Sequence, residues 1–452
     1  MTRRRAVWAL CSAVMLACGP WQRVGAPDRT PPGVGITQVF DASTVYRSMG
    51  FLVGGPALPF VGTVRYLRAA TPDSTLALCA LSLANTALTF RRDANEFVAE
   101  YHVEVSFRPD TGPSRLVTSD QAVRVRAFKE TLRGDESIIF QQFVTVRPGV
   151  YHVGVLVRDR NGPNLSRGER VDTVPSFTGQ GIGNPIPYYD GTGRSNLAEL
   201  PKLVANPRAT LPFGGDTLRF YLEGYGLAPG TRLAVSAVDG RGAPAWQDTV
   251  ALSGGDLSHT TVALLPGRVP LGRADLVVAA VAGGGSLKAE TPFVVSLSDQ
   301  WIITNFDQML SLLRYFDRQD LVAKLRSAPP DQRPGLWRDF WKTTDPVPMT
   351  PENEALDEYF RRVQIANQRF QESADPGWLT DRGEVFITLG EPDEVVDLRG
   401  DVSRDAMTIR WNYIQLRVSL LFRDESGFGR FRLTPSSRSE YQRVLARVRR
   451  MQ

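Results

Sequence analysis

Four acidic side chains in one short stretch of this 452-residue chain are of a type that can transfer protons: Asp381, Glu384, Glu391 and Asp393. Two carboxylates that face one cleft about 5–9 Å apart can serve as the acid and the base of glycoside cleavage. The same residue types can also be structural, because a carboxylate in a turn accepts backbone N–H bonds and one before a helix caps it. Residue types alone leave both interpretations open.

Local signals predict which elements hold these carboxylates in residues 377–395. Asp375-Pro376-Gly377 is a turn signal, and residues 380–383 suit a second turn. The run from Glu384 to Leu389 predicts a short strand, which Gly390-Glu391-Pro392 ends because proline cannot donate to a ladder. Proline also suits the first position of a short helix, with acidic residues favourable near its N-terminus. We therefore expect the polar residues to lie in loops.

This stretch reads Gly377-Trp378-Leu379-Thr380-Asp381, then Arg382-Gly383, then Gly390-Glu391-Pro392-Asp393. These residues in this order resemble the motif of the GWxTD-domain family. Further matching residues lie on both sides: Phe340-Trp341, Asp345-Pro346, Thr350, Asn353-Glu354, Asn367, Phe370, Trp411-Asn412-Tyr413 and the Phe422 to Gly427 turn. The match covers about residues 300–435.

The resemblance implies a layout rather than a reaction. Proteins of the family are secreted bacterial proteins, often lipoproteins, with β-rich domains before the GWxTD module. We therefore assign no catalytic residue, and we expect the motif residues to be structural or binding residues: Gly377, Trp378, Thr380, Asp381, Gly383, Gly390, Glu391 and Pro392.

The N-terminal residues have the pattern of a secretion signal. Arg3 to Arg5 form a basic segment, and Ala6 to Ala17 form an apolar core too short to span a bilayer. Leu16-Ala17-Cys18-Gly19 resembles a bacterial lipobox, in which the cysteine thiol receives a diacylglycerol and the chain is cut before it. The alternative is an ordinary signal peptide with a chance cysteine. We predict a signal peptide over residues 1–17 and lipidation at Cys18.

The predicted location is the periplasmic face of the outer membrane, because in the common diderm pattern of lipoprotein sorting a residue other than aspartate after the cysteine, here Gly19, favours that membrane. Residues 18–35 are rich in proline and glycine and predict a flexible tether. Removal of Arg3 to Arg5 takes three positive charges from the formal net charge of +5, so the processed chain carries about +2. We therefore predict no nucleic-acid partner. The expected partners are the membrane, through the lipid, and an envelope protein or glycan.

Two segments have the pattern of β-sandwiches. In residues 36–176, apolar residues at Tyr101, Val103, Val105 and Phe107 alternate with polar ones, and turn signals separate several such runs. Residues 205–297 have the length and spacing of an immunoglobulin-like module. Glycine and proline clusters in residues 177–204 predict a linker or a long ordered loop.

The apolar period becomes helical in residues 298–452. Phe306, Met309, Leu310, Leu313 and Phe316 fall on one helical face. Thr350 is predicted to cap a longer helix with Pro351 at its first position. The buried stripe of that helix is Leu356, Tyr359, Phe360, Val363, Ala366 and Phe370. The fold class is therefore two β-sandwiches followed by an α+β module with helices and then a small antiparallel sheet.

Other residues that could do chemistry are few. His102 and His152 lie on the polar sides of their strands, and a zinc site needs three or four ligands. We predict solvated strand histidines, with no metal and no cofactor. The tryptophans Trp337, Trp341, Trp378 and Trp411 could stack on sugars, but their apolar neighbours favour core packing. The arginines of the C-terminus, Arg443, Arg447, Arg449 and Arg450, could contact lipid headgroups or form a solvated helix face.

The sequence thus favours a lipid-anchored binding or scaffolding protein of the cell envelope over an enzyme. The alternative is a hydrolase of envelope polymers that uses Asp381 and Glu384. Buried, hydrogen-bonded carboxylates would favour the first function, and two carboxylates converging on an open cleft would favour the second.

The lipobox generates the first prediction. Cys18→Ala should move the protein from the membrane fraction to soluble or unprocessed material, because the residue that receives the lipid is lost. Metabolic labelling with a fatty acid, followed by fractionation, measures this, with Cys79→Ala as a control that should keep the label. Wild-type protein without an acyl group would contradict the prediction.

Overall fold

The computed structural model describes residues 42–131, 137–215, 217–265, 267–281, 287–298, 302–348, 353–372, 375–398 and 407–450. The predicted signal peptide, the tether and Cys18 lie outside the described residues.

Two antiparallel sheets form the first sandwich. Sheet I has the strand order β1 (Leu52–Val53), β2 (Phe60–Arg68), β3 (Thr75–Ala84), β7 (Ser137–Val146). Sheet II contains β4 (Arg91–Asp93), β5 (Glu96–Pro109), β6 (Arg115–Val125), β8 (Gly149–Asp159) and β9 (Leu165–Val174). Short helices α1 (Ala42–Ser48) and α2 (Phe128–Thr131) flank the sheets. The alternating residues of β5 are buried between the sheets, as predicted.

The second sandwich also has two sheets. Sheet III contains β10 (Gly181–Ile182), β11 (Ile186–Thr192), β12 (Lys202–Ala205), β14 (Leu218–Tyr225) and β17 (Ser258–Leu264). Sheet IV contains β13 (Thr210–Pro212), β15 (Arg232–Asp239), β16 (Pro244–Ala251), β18 (Gly272–Ala280) and β19 (Lys288–Ser296). The two sheets meet where Phe220 and Phe293 contact edge to face, with ring centroids 5.7 Å apart.

The interpretation of residues 177–204 as a linker or a loop is wrong, because three strands of sheet III come from this segment. Three of its glycines, Gly183, Gly191 and Gly193, lie where another part of the chain approaches closely. A Cβ on Gly191, at φ +134°, would lie 2.2 Å from the carbonyl oxygen of Lys202 on the paired strand. A Cβ on Gly193 would lie 2.7 Å from the ring of His259. Glycine is needed here because the neighbouring chain approaches so closely.

Sheet I is covered on both faces. One face packs on sheet II through residues such as Val64 and Cys79, and the thiol is buried as predicted. The other face, with Leu67 and Leu78, packs on Tyr221 and its neighbours in sheet III. The sheets therefore stack in the order II, I, III, IV. Strand β3 is an almost unbroken apolar run because neither of its faces meets water.

A buried ion pair lies where the two sandwiches meet. The side chains of Arg194 and Glu223 are fully buried, and the guanidinium donates from Nε to Oε1 at 2.9 Å and from Nη2 to Oε2 at 2.8 Å. Tyr221 and Tyr225 each donate a hydroxyl hydrogen bond to the same carboxylate, at 2.7 and 2.6 Å. Arg194 Nη2 also donates to the carbonyl of Arg68 in β2 at 2.7 Å. Burial acts to lower the pKa of Arg194, but the hydrogen bonds and charge of Glu223 outweigh it and raise that pKa.

The C-terminal part is a helical layer followed by a small antiparallel sheet, as predicted. Its helices are α3 (Phe306–Leu312), α4 (Gln319–Ser327), α5 (Arg333–Thr344), α6 (Glu354–Arg369), α7 (Asp381–Leu389) and α8 (Pro435–Val448). Sheet V has the order β20 (Glu394–Asp397), β21 (Met407–Tyr413), β22 (Val418–Asp424), β23 (Arg432–Leu433). The predicted apolar stripes of α3 and α6 are buried.

The predicted cap of α6 is wrong. The helix begins at Glu354, and the side chain of Asn353 accepts the hydrogen bond from Leu356 N at 3.0 Å. Asn353 Nδ2 also donates to the carbonyl of Trp341 at 2.7 Å, which ties α6 to α5. Asparagine is as good a cap as threonine, and this tertiary hydrogen bond favours it here. Thr350 and Pro351 lie outside the described residues.

The buried ion pair generates the second prediction. Glu223→Gln should lower the free energy of unfolding by about 3–5 kcal/mol, because it leaves the Arg194 cation buried without a counter-charge. Denaturant unfolding at neutral pH measures this. Glu290→Gln is the control, since Glu290 pairs with Lys288 while both side chains are more than half exposed, and it should change stability little.

A double variant sharpens this test. Arg194→Met with Glu223→Met removes both charges, so it should cost much less than Glu223→Gln alone. A double variant as unstable as the single one would show that the pair is not coupled as described.

Candidate functional site

Thr380 is the centre of the GWxTD corner, by which we mean residues 377–383. The threonine is completely buried. Its hydroxyl donates to the carbonyl of Gly377 at 2.8 Å and accepts from Gly383 N at 3.1 Å. It thereby closes the single 3₁₀ turn Gly377–Leu379 and caps α7 at the same time. One side chain thus satisfies backbone groups of two elements.

The prediction of a strand from Glu384 to Leu389 is wrong, because these residues belong to α7. A short apolar run does not distinguish a buried strand from a buried helix. The cap at Thr380 decides between them, since its hydrogen bonds start a helix at Asp381. Gly390, at φ +86°, ends the helix. Its carbonyl oxygen accepts a hydrogen bond from the hydroxyl of Tyr413 at 3.0 Å.

The two glycines of the corner allow three segments of backbone to touch. A Cβ on Gly377 would lie 2.2 Å from the carbonyl oxygen of Ala366 in α6. A Cβ on Gly383 would lie 2.0 Å from the carbonyl oxygen of Gly377. Both distances are far below van der Waals contact. The two glycines of the motif therefore stand at the positions where the backbones of α6, the 3₁₀ turn and α7 touch.

Trp378 is buried, with 8% of its surface exposed. Its ring meets Tyr315 edge to face, with centroids 6.5 Å apart, and its buried Nε1 has no hydrogen-bond partner. Trp337 and Trp411 are also buried, and Trp341 is half-buried against Trp337. The predicted core packing is thus confirmed for Trp337, Trp378 and Trp411. Stacking on a sugar would need an exposed ring face, and the ring faces of these three tryptophans are covered.

The two carboxylates proposed for hydrolysis share one arginine of α8. Arg438 Nη2 lies 2.6 Å from Asp381 Oδ2, and its Nη1 lies 3.2 Å from Glu384 Oε2. Asp381 Oδ2 also accepts a hydrogen bond from Leu433 N at 2.7 Å, so the carboxylate holds β23 against α7. The hydrogen bonds and charges of the two carboxylates raise the pKa of Arg438 above its usual value, although burial acts to lower it. The guanidinium therefore stays charged between them.

Glu391 and Asp393 have separate roles. Glu391 Oε1 pairs with Arg369 Nη1 at 2.8 Å near the surface. Asp393 was predicted to lie at the start of a short helix, which is wrong, because Glu394 to Asp397 form strand β20. Asp393 Oδ2 instead accepts from Ile414 N at 2.6 Å and fixes the turn after β21. Pairing with β21 makes this segment extended, and the local helix signal at Pro392 does not outweigh that pairing.

Glu372 belongs to the same cluster, although no motif in the sequence indicates it. Its side chain is completely buried, and Oε1 accepts from Phe431 N at 3.1 Å and from Arg382 Nη2 at 3.4 Å. Arg382 lies over the ring of Phe431, 4.3 Å from its centroid, and burial lowers the pKa of this arginine. Asp375 Oδ2 binds Arg430 and Arg432 at 3.2 Å each. These partners lie far along the chain, so no local pattern could identify them.

The turn after β22 is organised by one buried aspartate. Asp424 Oδ1 accepts from the amides of Ser426 and Gly427, and Oδ2 accepts from the amide of Gly429. Burial acts to raise the pKa of Asp424, but these hydrogen bonds and that of the Ser426 hydroxyl outweigh it and lower the pKa. The carboxylate is thus a structural acceptor.

The histidines of sheet II lie on its solvent face, as predicted. His102 Nδ1 is 2.7 Å from Asp120 Oδ1, and His152 Nδ1 is 3.5 Å from Glu169 Oε1. A shallow depression of about 160 Å³ lies nearby, lined by Glu104, Ser106, Arg108, Gly154, Val155, Leu156, Arg167 and Glu169. In the described ranges, no group of three or more His, Cys, Asp or Glu residues could hold a metal ion.

No helix in the part of the chain that the structure describes is long and apolar enough to cross a membrane.

Residues 284–444 match the family model described as the GWxTD domain. This confirms the resemblance and extends it beyond residues 300–435 at both ends. No curated protein matches the chain.

Solved structures similar to this chain have low identity. The crystal structure of red sea bream transglutaminase is 11% identical, covers 52% of this chain and 31% of its own, and has a TM-score of 0.16. A tetra-tandem repeat from the extending region of a large adhesion protein is 14% identical and covers 53% of this chain and 50% of its own, with a TM-score of 0.18. The BSP domain of a biofilm-associated protein is 9% identical and covers 57% and 54%, with a TM-score of 0.17.

This chain therefore spans between about a third and about half of the length of these structures. At these TM-scores, none of the three carries information about the function of this chain.

The backbone contact at the corner generates the third prediction. Gly383→Ala should lower the free energy of unfolding by about 1–3 kcal/mol, because the added methyl group overlaps the carbonyl of Gly377 and forces the backbone apart. Thermal or denaturant unfolding measures this.

Gly335→Ala is the matched control. Gly335 also lies in a helix, and a Cβ there would meet nothing within 4 Å. Alanine should stabilise that helix by about 0.5–1 kcal/mol. Two variants of equal stability would show that Gly383 has no special contact.

Proposed function

We propose that this chain, whose residues 284–444 are a GWxTD domain, is a lipid-anchored protein of the cell envelope that binds or scaffolds other envelope components. Cys18 carries the lipid, and the protein lies at the periplasmic face of the outer membrane. Its partner is an envelope protein or glycan, and its GWxTD domain is a structural and binding module without catalytic carboxylates.

The observation that carries this proposal is the engagement of the motif carboxylates inside the domain. The carboxylate of Asp381 accepts a hydrogen bond from Leu433 N and pairs with Arg438, and Glu384 pairs with the same arginine. Glu372 holds Phe431 N. These interactions join α7, and the segment before it that contains Glu372, to the β23 region of sheet V and to α8. Carboxylates that hold elements together in this way are already engaged in hydrogen bonds and ion pairs, so they are not free to act on a substrate.

The stacked sheets support a scaffolding role. A body of four sheets has little freedom to bend where sheets I and III share a core. The buried pair of Arg194 and Glu223 fixes the same boundary. A rigid body keeps its loops and faces in fixed relative positions, which lowers the entropy lost when a partner binds several of them.

The alternative is a glycan hydrolase that uses Asp381 and Glu384. Such a pair needs open space between its carboxylates for the sugar and, in an inverting enzyme, for a water molecule. In this structure the guanidinium of Arg438 occupies the position between them. The geometry therefore favours the binding function.

Asp381→Asn provides the fourth prediction and tests the proposed function. It keeps the shape of the side chain but weakens the hydrogen bonds to Leu433 N and Arg438, so stability should fall by about 1–2 kcal/mol. An envelope phenotype in a deletion strain should then follow the amount of folded protein. Thermal melts beside a complementation assay measure both quantities.

Glu391→Gln is the control within the same motif. Glu391 is 65% exposed and pairs only with Arg369 among the contacts described above, so its loss should leave stability and complementation near wild type. An Asp381→Asn protein that is as stable as wild type, accumulates normally and still fails to complement would favour the hydrolase.

A further inference from the structure

A row of arginines lies along the exposed side of α8 and the turn that follows it. Arg443, Arg447 and Arg450 follow one another at spacings of four and three residues, so they lie on one side of the helix. The opposite side carries Tyr441 and Val444, which are buried against the domain. The side chain of Arg443 is 76% exposed. Nε of Arg443 and Nε of Arg450 donate to carbonyls of α8 itself, those of Ser439 and Ala446.

An exposed apolar turn adjoins this row. Nη2 of Arg447 donates to the carbonyl of Leu416 at 2.6 Å, which fastens the helix to the turn between β21 and β22. Ile414 at this turn is 72% exposed, and its amide is held by Asp393 at 2.6 Å. Arg417, also exposed, continues the turn at φ +52°. The turn is therefore fixed from two sides while its isoleucine projects into solvent.

Positive charge exceeds negative charge on this surface. Its cations are Arg417, Arg443, Arg447, Arg449 and Arg450. Among the described residues, the carboxylates in contact with it are Glu440, at 3.9 Å from Arg443, Asp317, at 3.2 Å from Arg449, and Asp393 at the turn. The surface thus combines an excess of guanidinium groups with a rigid apolar tip.

We propose that the arginine row and the Ile414 turn, together the docking surface, bind an anionic lipid bilayer. The guanidinium groups lie at the level of the lipid phosphates, and Ile414 enters the boundary of the acyl chains. A soluble polyanion would use the arginines but would gain nothing from the isoleucine. This inference goes beyond the proposed function, which places only Cys18 at the membrane. A second, weaker contact would hold the GWxTD domain against the bilayer, since two membrane signals anchor more stably than one.

The experiment compares binding to phosphatidylcholine vesicles with and without phosphatidylglycerol. Every protein is the full chain with Cys18→Ala, so acylation affects none of the results, and failure of the lipid anchor leaves this test intact. The measured quantity is the ratio of the two vesicle affinities, obtained by vesicle titration. The segment before the first sandwich is the same in all proteins and contributes equally.

The expected results separate charge from insertion. Arg443→Gln with Arg450→Gln should lower the affinity ratio by about tenfold or more, since each arginine near an anionic leaflet contributes about fivefold. The matched control is Lys324→Gln with Arg326→Gln, which removes two exposed cations of α4 and should leave the ratio unchanged. Ile414→Ser should weaken binding to both kinds of vesicle and leave the ratio nearly unchanged.

Two results would overturn the proposal. Equal ratios for the arginine variant and its control would show that the row does not meet lipid. Loss of the ratio in the arginine variant, without any effect of Ile414→Ser, would assign the row to a soluble polyanion. Circular dichroism melts of all variants check that the substitutions, which are at exposed positions, leave the fold unchanged.

Discussion

The buried contact between Arg194 and Glu223 is the interaction on which the arrangement of the β-sheets depends. Removing two ions from water costs several kcal/mol for each, and that cost is offset only when every polar atom finds a partner. Here the carboxylate accepts from the guanidinium and two tyrosine hydroxyls, and the guanidinium also donates to carbonyls of Arg68, Leu197 and Glu199. All of these hydrogen bonds form together in one arrangement of the two sandwiches. It fixes how the second sandwich sits on the first, more than it adds net stability.

The GWxTD domain depends on a different constraint, which is close approach of backbone. Gly377 and Gly383 have no side chains to separate α6, the 3₁₀ turn and α7, and Thr380 satisfies the polar groups where they meet. The charged residues around the corner then fasten the C-terminal sheet and helix to it. The polar motif residues Thr380, Asp381 and Arg382 are thus among the residues that hold the domain together.

Much of the fold could be predicted from periodicity, because each buried face follows the period of its own element. The alternation in β5 and the stripe of α6 are examples. The failures have two causes: a local cap whose effect the apolar pattern does not show, and contacts with residues that are distant in the chain. The run from Glu384 to Leu389 fits a strand or a helix, and the cap at Thr380 selects the helix. The glycines of residues 177–204 suggested flexibility because their close neighbours, such as Lys202 and His259, are identified only by the fold. The pairing of Glu372 with Phe431, and of Arg194 with Glu223, leaves no local trace in the sequence.

The double coverage of sheet I has a consequence for the order in which the chain matures. Sheet I and sheet II are complete once Val174 has been made, but the outer face of sheet I still lacks its cover. This face is covered only when residues later in the chain, such as Ile186, Leu203 and Tyr221, pack on its side chains Leu67, Leu76, Leu78 and Ala80. During that interval the nascent first sandwich presents an apolar sheet to its surroundings, and surfaces of this kind drive misassembly. The outer face of sheet I is therefore open to misassembly between the emergence of β9 and that of β14, and it is covered afterwards.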